Sequence, residues 1–338
     1  MRLGIVGDAG AAETLKAAIL LGGGHEVAWI ACADDELRSQ AVSDTPDLVL
    51  VDLQARGVDA LDATRFIVSD TASVVLVAAS GQADPAHVFA AIGHGALDAV
   101  SLPRAGAAAV AAVLLPKITS IARWIGKTGA PASRTSDRGT SCPRLIAVGA
   151  SAGGPAALSI VLGSLPRSLP AAIVVVQHLG EDFTAGVAEW LQRGTALDVR
   201  VARENDRPAV GTVLVAGGND HLVFTSQGRL GYTTEPREKI YRPSVDVFFD
   251  SVCRLWRGSV VGVLLTGMGR DGAQGLRALR AHGHHTIAQD EATCAVYGMP
   301  KAAAALNAAV DILPLNRIAG RIDDLVAMRV RPRRSGGR

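Results

Sequence analysis

Residues 145–154 constrain what this chain can fold into more than any other stretch. Their apolar run ends in the turn Gly-Ala-Ser-Ala-Gly-Gly, and Pro155 then opens a helical pattern. A continuous apolar run is typical of a buried parallel strand, and proline suits a first helical turn. The stretch therefore predicts a strand, a tight turn and a helix. Such a turn can hold the Ser151 hydroxyl at a sheet edge, cradle a phosphate, or need its glycines for backbone angles alone.

Length and charge narrow the class of protein. With 338 residues the chain is long enough for two domains, each with its own core. Its net charge of +2 predicts neither a nucleic-acid partner nor membrane insertion. The N-terminus reads as a strand and not as a signal peptide, and the cysteines lack paired spacing. We therefore expect a cytoplasmic protein with reduced thiols at Cys32, Cys142, Cys253 and Cys294.

In the first half, short apolar runs alternate with helical patterns. The predicted strands are residues 3–6, 27–31, 48–53, 74–78 and 99–102. This alternation predicts a mainly parallel α/β sheet with helices on both faces. Asp8 follows the first predicted strand and Asp52 lies near the end of the third. Sites in doubly wound sheets lie at these carboxyl ends.

Residues 1–125 resemble the receiver domain of two-component response regulators, which has a flavodoxin-like fold. The resemblance rests on the strand order and on residues 46–53 and 93–98. It implies that Asp52 is the phospho-acceptor position, that Asp8 is a weak Mg²⁺ ligand candidate, and that a chemotaxis-type histidine kinase is a partner.

The rest of the receiver pocket departs from that family. Gly7 stands where a second acid is usual, Ala78 or Ala79 where a hydroxyl is usual, and Leu102 where a lysine is usual. The domain is therefore partly degenerate, and we favour a structural pseudo-receiver over a phosphorylated one. Mg²⁺ would be needed only if the receiver is phosphorylated.

Two stretches predict no packed structure. Residues 126–143 are small, polar and proline-bearing, which is typical of a flexible linker. Residues 329–338 form an arginine-rich tail, which we expect to be disordered.

The second half places three chemistry-bearing residues at predicted strand ends. The predicted strand 171–177 ends next to His178, and the apolar run 260–265 leads into a glycine loop that carries Asp271. Parallel strands bring their carboxyl ends to one edge, so Ser151, His178 and Asp271 are expected to converge as nucleophile, base and orienting acid. Their chain order differs from that of the α/β-hydrolases. A structural histidine and a helix-capping Asp271 are the alternatives.

Other features of this half carry weaker predictions. Residues 197–202 and 211–216 read as strands, and His221 either belongs to a turn or supports the site residues from outside them, at the rim of the site. Residues 241–246 precede a helix and either shape the cleft or only begin that helix. The run from His282 to His285 reads as a solvated turn, because no matching carboxylate or cysteine spacing supports a metal site.

Residues 144–328 resemble the catalytic domain of the CheB family of protein-glutamate methylesterases. The matching segments are residues 149–155, 176–178, 241–248, 265–273 and 289–300. The resemblance implies that Ser151, His178 and Asp271 are catalytic and that the backbone N–H groups of Ala152 and Met268 bind the oxyanion. It also implies demethylation of glutamate methyl esters on cytoplasmic chemoreceptor helices, deamidation of receptor glutamines, and no cofactor for hydrolysis.

Two other functions stay open from the sequence. The esterase fold could serve as a non-catalytic signalling adaptor, or the turn after residue 148 could bind a nucleotide phosphate. Family resemblance further implies that the receiver obstructs the esterase cleft. We therefore expect removal of residues 1–125 to raise activity, and Asp52→Asn to change it only slightly.

Overall fold

A computed structural model describes residues 1–71, 73–80, 84–125, 144–225 and 228–327. It divides the chain into two compact units, Met1–Thr128 and Gly129–Arg338. The predicted linker, residues 126–143, and the predicted tail, residues 329–338, lie outside the described residues. Within those ranges, no helix combines the length and apolarity needed to cross a bilayer.

Strands and helices alternate through the whole first unit. They are β1 (Arg2–Val6), α1 (Ala9–Leu21), β2 (Glu26–Ala31), α2 (Asp34–Ser43), β3 (Leu48–Asp52), α3 (Ala60–Asp70), β4 (Val74–Ser80), α4 (Pro85–Gly93), β5 (Asp98–Leu102) and α5 (Ala107–Ile125). The strands form one parallel sheet in the order β2-β1-β3-β4-β5. This is the flavodoxin-like order, and it confirms the predicted fold class.

Apolar strands covered on both faces hold the first unit together. Every residue of β3 is buried, and so are residues 3–6 of β1. On one face α1 packs against α5, while on the other α2, α3 and α4 pack side by side. Continuous apolar runs such as β3 are required because both faces of this sheet are covered.

The second unit has a larger sheet and a separate hairpin. Its elements are β6 (Leu145–Ala150), α6 (Gly154–Gly163), β7 (Ala172–Gln177), α7 (Glu181–Gly194), β8 (Asp198–Val201), β9 (Thr212–Val215), β10 (His221–Phe224), β11 (Leu230–Thr233), α8 (Val245–Leu255), β12 (Val260–Leu264), α9 (Ala273–Ala281), β13 (His285–Gln289), α10 (Met299–Ala305), β14 (Asp311–Leu313) and α11 (Leu315–Ala327).

Seven parallel strands form this sheet in the order β14-β13-β12-β6-β7-β9-β8. Helix α6 packs against α7 and α11, whereas α9 packs against α8 and α10. The central strands β6, β7 and β12 are buried throughout. Both faces are thus covered, and the predicted strand-turn-helix at residues 145–162 is confirmed. The carboxyl ends of β6, β7 and β12 lie side by side.

Four strands of this unit were not predicted from the sequence. β10 and β11 pair only with each other, and β14 has only three residues. β13 begins at His285, so the interpretation of that histidine as part of a solvated turn is wrong. Its Nε2 lies 2.7 Å from Asp311 Oδ2, which also accepts a 2.7 Å hydrogen bond from Arg321 Nε. This ion-pair network ties β13 to β14 and α11. In the ranges that the structure covers, no three side chains of metal-binding type cluster together.

Candidate active site

Ser151 lies between the two strand ends that carry the other predicted site residues. It follows Ala150 of β6, which is registered with Gln177 of β7, and the His178 N–H donates to Ala150 O over 3.0 Å. On the other side the Ser151 N–H donates to Thr266 O, just after β12, over 3.0 Å. Registered neighbours in parallel strands lie about 4.8 Å apart. Ser151 and His178 are therefore adjacent at the sheet edge.

Two glycines allow the turn at Ser151 to close. Gly153 has φ +72, and a Cβ there would come within 2.5 Å of Ala295 Cβ. Gly267 faces the serine directly, because a Cβ at that position would lie 2.7 Å from Ser151 Cβ and 2.3 Å from Met299 Sδ. The loop after β12 can approach the Ser151 side chain only because residue 267 has no side chain.

We expect Gly267→Ala to lower the rate of ester hydrolysis about 100-fold, because the added methyl displaces Ser151 and misplacement by about 1 Å has effects of this size. The measurement is methanol release by the folded variant. Gly320→Ala is the matched control, since nothing lies within 4 Å of a Cβ at that exposed position in α11. Unchanged methanol release by Gly267→Ala would contradict the close packing of this loop on the serine.

His178 and Asp271 are in direct contact. His178 Nε2 lies 2.8 Å from Asp271 Oδ2, and the two side chains are only 8% and 6% exposed. Because a carboxylate only accepts hydrogen bonds, Nε2 carries the hydrogen and Nδ1 carries the lone pair in the neutral ring. His178 Nδ1 is buried and has no hydrogen-bond partner among the described residues. The imidazole therefore has a free acceptor nitrogen at the edge where Ser151 lies.

The first turn of α8 binds the Asp271 carboxylate. Oδ1 accepts hydrogen bonds from Ser244 Oγ (2.8 Å) and the Asp246 N–H (3.2 Å), and Oδ2 accepts one from the Val245 N–H (2.6 Å). The N-terminus of a helix favours negative charge. Burial by itself raises the pKa of the Asp271 carboxyl. The hydrogen bond and charge of His178, together with the hydrogen bonds from Ser244 and Val245, outweigh burial and lower the pKa to about 2. Asp271 is ionised at neutral pH.

The alternative that Asp271 caps the following helix is wrong. Gly272, in the left-handed conformation with φ 83, occupies the N-cap position of α9, and the side chain that binds the first turn of α9 is that of Asp246, whose Oδ1 accepts the Gly275 N–H over 2.8 Å. Asp271 instead binds the N-terminus of α8, which is distant along the chain. Its side chain is thus directed toward His178 and away from α9.

His221 supports this arrangement from behind. It begins β10 and is completely buried, so the prediction of a turn is wrong, and its contacts agree with the alternative prediction that it supports the site residues. Its Nδ1 accepts the Ser244 N–H over 3.0 Å, and its Nε2 lies 3.2 Å from Pro236 O. With one nitrogen accepting and the other donating, the ring is the neutral Nε2–H tautomer. His221 therefore holds the residue whose hydroxyl binds Asp271.

Tyr241 covers one face of the His178 ring. The two rings are stacked with centroids 4.4 Å apart and planes 2° apart. Burial, with a further contribution from the Asp271 charge, raises the pKa of the Tyr241 phenol. The stack leaves the imidazole little freedom to rotate away from Asp271. A cavity of about 500 Å³ opens beside Tyr241 and Asp271, with Ile240 and Arg270 in its lining.

The Ala152 N–H follows Ser151 directly in the chain, and the Met268 N–H follows Gly267, which faces the serine. Neither donates to a protein acceptor within the described ranges, and they belong to the loops after β6 and β12. Thr266 joins these loops, because its Oγ1 lies 3.0 Å from Ala152 O and accepts the Val296 N–H over 2.8 Å. The sequence marked residues 241–246 and 265–273 as motifs, but no role for Ser244 or Thr266 was predicted, since nothing local shows their distant partners.

In the first unit, Asp52 lies at the end of β3 as predicted. Its Oδ1 accepts the Gln54 N–H over 3.0 Å. The pKa of the Asp52 carboxyl is raised above its ordinary value, chiefly by burial and further by the Asp8 charge, although the hydrogen bond from the Gln54 N–H acts in the opposite direction. Asp8 caps α1, with Oδ1 accepting the Ala11 N–H over 2.9 Å. A side chain at Gly7 would begin 3.3 Å from Asp52 Cβ, in tight contact.

Among the described residues that line the cavity beside Asp52 there is no lysine, and Asp8 is the one other carboxylate. Ala78 is the residue of β4 registered with Asp52, and Leu102 lines the same cavity of about 560 Å³. The cationic residue among the described residues of this lining is Arg104, which is exposed. The carboxylates available to a magnesium ion are Asp8 and Asp52, and one oxygen of Asp8 already caps a helix. This donor set fits Mg²⁺ poorly.

The fold and the site define a hydrolytic α/β enzyme attached to a receiver-like unit. The family model of the CheB methylesterase matches residues 146–322. The chain is 52% identical to a protein-glutamate methylesterase/protein-glutamine glutaminase of Mesorhizobium japonicum, over 95% of this chain and 98% of that one. A protein of the same description from Pseudomonas putida is 49% identical, over 97% and 100% of the two chains. The CheB methylesterase catalytic domain of Thermotoga maritima aligns with 34% identity and a TM-score of 0.52, over 55% of this chain and all of that domain. This chain belongs to the CheB methylesterase family and is a hydrolase.

Proposed function

We propose that the enzyme hydrolyses glutamate γ-methyl esters on methylated chemoreceptors, with Ser151 as nucleophile, His178 as base and Asp271 as the acid that orients it. One observation carries these assignments. The bond from His178 Nε2 to Asp271 leaves Nδ1 as a buried nitrogen without a partner, on the strand end next to Ser151. A base that accepts the proton of a neighbouring hydroxyl needs such a lone pair.

In the first half of the reaction His178 Nδ1 takes the proton of Ser151 Oγ. The oxygen attacks the ester carbonyl carbon, and the Ala152 and Met268 N–H groups bind the resulting oxyanion. Asp271 stabilises the imidazolium without taking its proton. The Nδ1 proton then passes to the departing methoxy oxygen, so that methanol leaves and an acyl-enzyme remains.

A water molecule completes the cycle. His178 Nδ1 takes a proton from the water, the hydroxide attacks the acyl carbon, and the proton returns to Ser151 Oγ. The product is a glutamate carboxylate. The same steps on a glutamine side chain release ammonia, which accounts for a glutaminase activity at one site. All groups that these steps need are supplied by protein residues, and we propose that hydrolysis requires no cofactor.

The partners and location follow from the proposed reaction. The esters would lie on the cytoplasmic helices of chemoreceptors, which places the enzyme in the cytoplasm. A chemotaxis-type histidine kinase is the partner that a receiver would serve. The receptors on which the enzyme acts can be identified by measuring methanol release from separate membrane preparations, each of which contains a single methylated receptor.

A serine-reactive phosphonate probe tests the nucleophile. The full chain is treated with the probe, digested, and mapped by mass spectrometry, with and without methylated receptor membranes as competitor. We expect labelling at Ser151, and slower labelling when receptor is present. A non-catalytic adaptor would bind receptor without being labelled. A nucleotide-binding protein would be protected by nucleotide and would also not be labelled.

We expect Asp52→Asn to change methanol release by less than about twofold, with or without a small phosphodonor and Mg²⁺. A phosphoryl group switches a domain only where it gains partners that favour one arrangement. Here Ala78 and Leu102 occupy the places of the usual hydroxyl and lysine. Asp59→Asn is the matched control, because it removes one carboxylate from the same unit at the N-cap of α3. Strong activation by the phosphodonor that Asp52→Asn alone abolishes would show that the receiver is functional.

A further inference from the structure

Gln177 is a buried polar side chain that the reaction does not use directly. It ends β7, whose other residues, 172–176, are all apolar, and it is only 3% exposed. Its Nε2 donates to Ser151 O over 2.8 Å and to His178 O over 3.1 Å. Both hydrogens of one amide group thus bind the carbonyl groups of the nucleophile and the base.

The orientation of this amide is determined by its neighbours. Exchanging its oxygen and nitrogen would place Oε1 against two carbonyl oxygens, which have no hydrogen to donate. In the observed orientation Oε1 is buried without a hydrogen-bond partner among the described residues. It lies above Gly154, where a Cβ would come within 2.0 Å of it. A buried acceptor without a partner destabilises a protein, so a residue that keeps one needs an explanation.

We propose that Gln177 is a positioning residue that sets the separation between Ser151 Oγ and His178 Nδ1. Among the described residues, the His178 N–H makes the last backbone hydrogen bond between the β6 and β7 segments, so beyond that point the two segments depend on side-chain contacts. The Gln177 amide supplies that connection, because it binds the carbonyl group of each reacting residue. This inference rests on the proposed function, in which these two residues exchange a proton.

Gln177→Met tests the role because methionine has a similar length and no amide donors. We expect kcat for methanol release to fall about 30-fold with KM nearly unchanged, because substrate contacts stay and only the serine–histidine geometry is lost. The rate of phosphonate labelling at Ser151 should fall by the same factor. Circular dichroism and thermal unfolding establish that the variant is folded.

Gln177→Glu supplies a readout that a merely structural role would not move. A neutral carboxyl group has one O–H donor and a carboxylate has none. The quantity to compare is the activity of Gln177→Glu divided by that of the unsubstituted enzyme at the same pH. This ratio should be several-fold higher at about pH 6 than at about pH 9, because burial raises a carboxyl pKa and so keeps the O–H donor at the lower pH. Gln177→Met should show no such change. If Gln177→Met does not fold, the pH profile of Gln177→Glu decides by itself.

Thr286→Val is the matched control. Thr286 is also buried in this sheet, where its Oγ1 donates to Ala308 O over 2.8 Å and accepts the Val310 N–H over 3.0 Å. The variant loses two buried hydrogen bonds to the backbone, and it should be less stable with an unchanged kcat. The positioning role would be overturned if Thr286→Val and Gln177→Met lost kcat to the same extent. It would also be overturned if the activity of Gln177→Glu relative to the unsubstituted enzyme were the same at about pH 6 and about pH 9.

The inference and the proposed function fail in different ways. If Ser151→Ala is inactive but Gln177→Met keeps full kcat, only the positioning role is overturned. If Ser151→Ala still releases methanol, the proposed function is wrong and the role of Gln177 falls with it.

Discussion

Ser151→Ala is expected to reduce methanol release from methylated receptor membranes by about 10⁴-fold or more, because loss of the nucleophile removes the covalent route entirely. The variant should fold, since the Ser151 hydroxyl donates to no group among the described residues, and the turn is held by the Ser151 N–H bond to Thr266 O and by the Thr266 Oγ1 bond to Ala152 O. Labelling by the phosphonate probe should also disappear. The rate that remains would then measure how much substrate binding and oxyanion stabilisation accelerate hydrolysis without the nucleophile.

Ser251→Ala provides the matched control for that experiment. Ser251 is 1% exposed, and its hydroxyl donates to Phe248 O over 2.7 Å and accepts the Phe224 N–H over 3.0 Å. Removing this hydroxyl should lower the free energy of unfolding by about 1–3 kcal/mol and leave kcat unchanged. Methanol release by a folded Ser151→Ala variant at the unsubstituted rate would dismiss Ser151 as the nucleophile.

Asp271→Asn is expected to lower kcat by about 10⁴-fold while the protein remains folded. The asparagine oxygen would accept from Ser244 Oγ and the Asp246 N–H. Its NH₂ group would therefore take the place of Oδ2, lose the hydrogen bond from the Val245 N–H and face His178 Nε2. That contact favours the tautomer with the hydrogen on Nδ1, and this nitrogen could then no longer accept the Ser151 proton. The effect is therefore on the chemical step, and KM should change much less. Stopped-time methanol release over a range of receptor concentrations separates the two quantities.

The second His–Asp pair of this unit is the control for Asp271→Asn. His285 Nε2 and Asp311 Oδ2 lie 2.7 Å apart, a contact of the same kind at the start of β13, away from the carboxyl ends where Ser151 lies. Asp311→Asn should weaken the packing of α11 and leave kcat unchanged. Equal losses of kcat in the two variants would indicate that Asp271 acts through stability and not through the histidine.

The local pattern of the chain was sufficient to predict all five strands of the first sheet, five of the seven strands of the second, and the edge at which the site lies. Runs such as residues 48–51 and 145–148 are apolar throughout because parallel strands are covered on both faces, and this can be read without knowing any partner. The same rule places Ser151, His178 and the loop that carries Asp271 at one sheet edge, because parallel strands share their carboxyl ends. The residue types at those ends then predicted the chemistry.

The tertiary structure decided how those residues are held. Asp271 binds the N-terminus of α8, Nε2 of His178 faces Asp271, and Tyr241 stacks on the His178 ring. Each of these contacts joins residues at least 25 positions apart in the chain. The same holds for His285, which was expected in a solvated turn and instead pairs with Asp311, 26 positions later. Hydrophobic periodicity reports which face of an element is buried, but it contains no information on which polar group of another element meets a given atom. Only the packed structure supplies those partners.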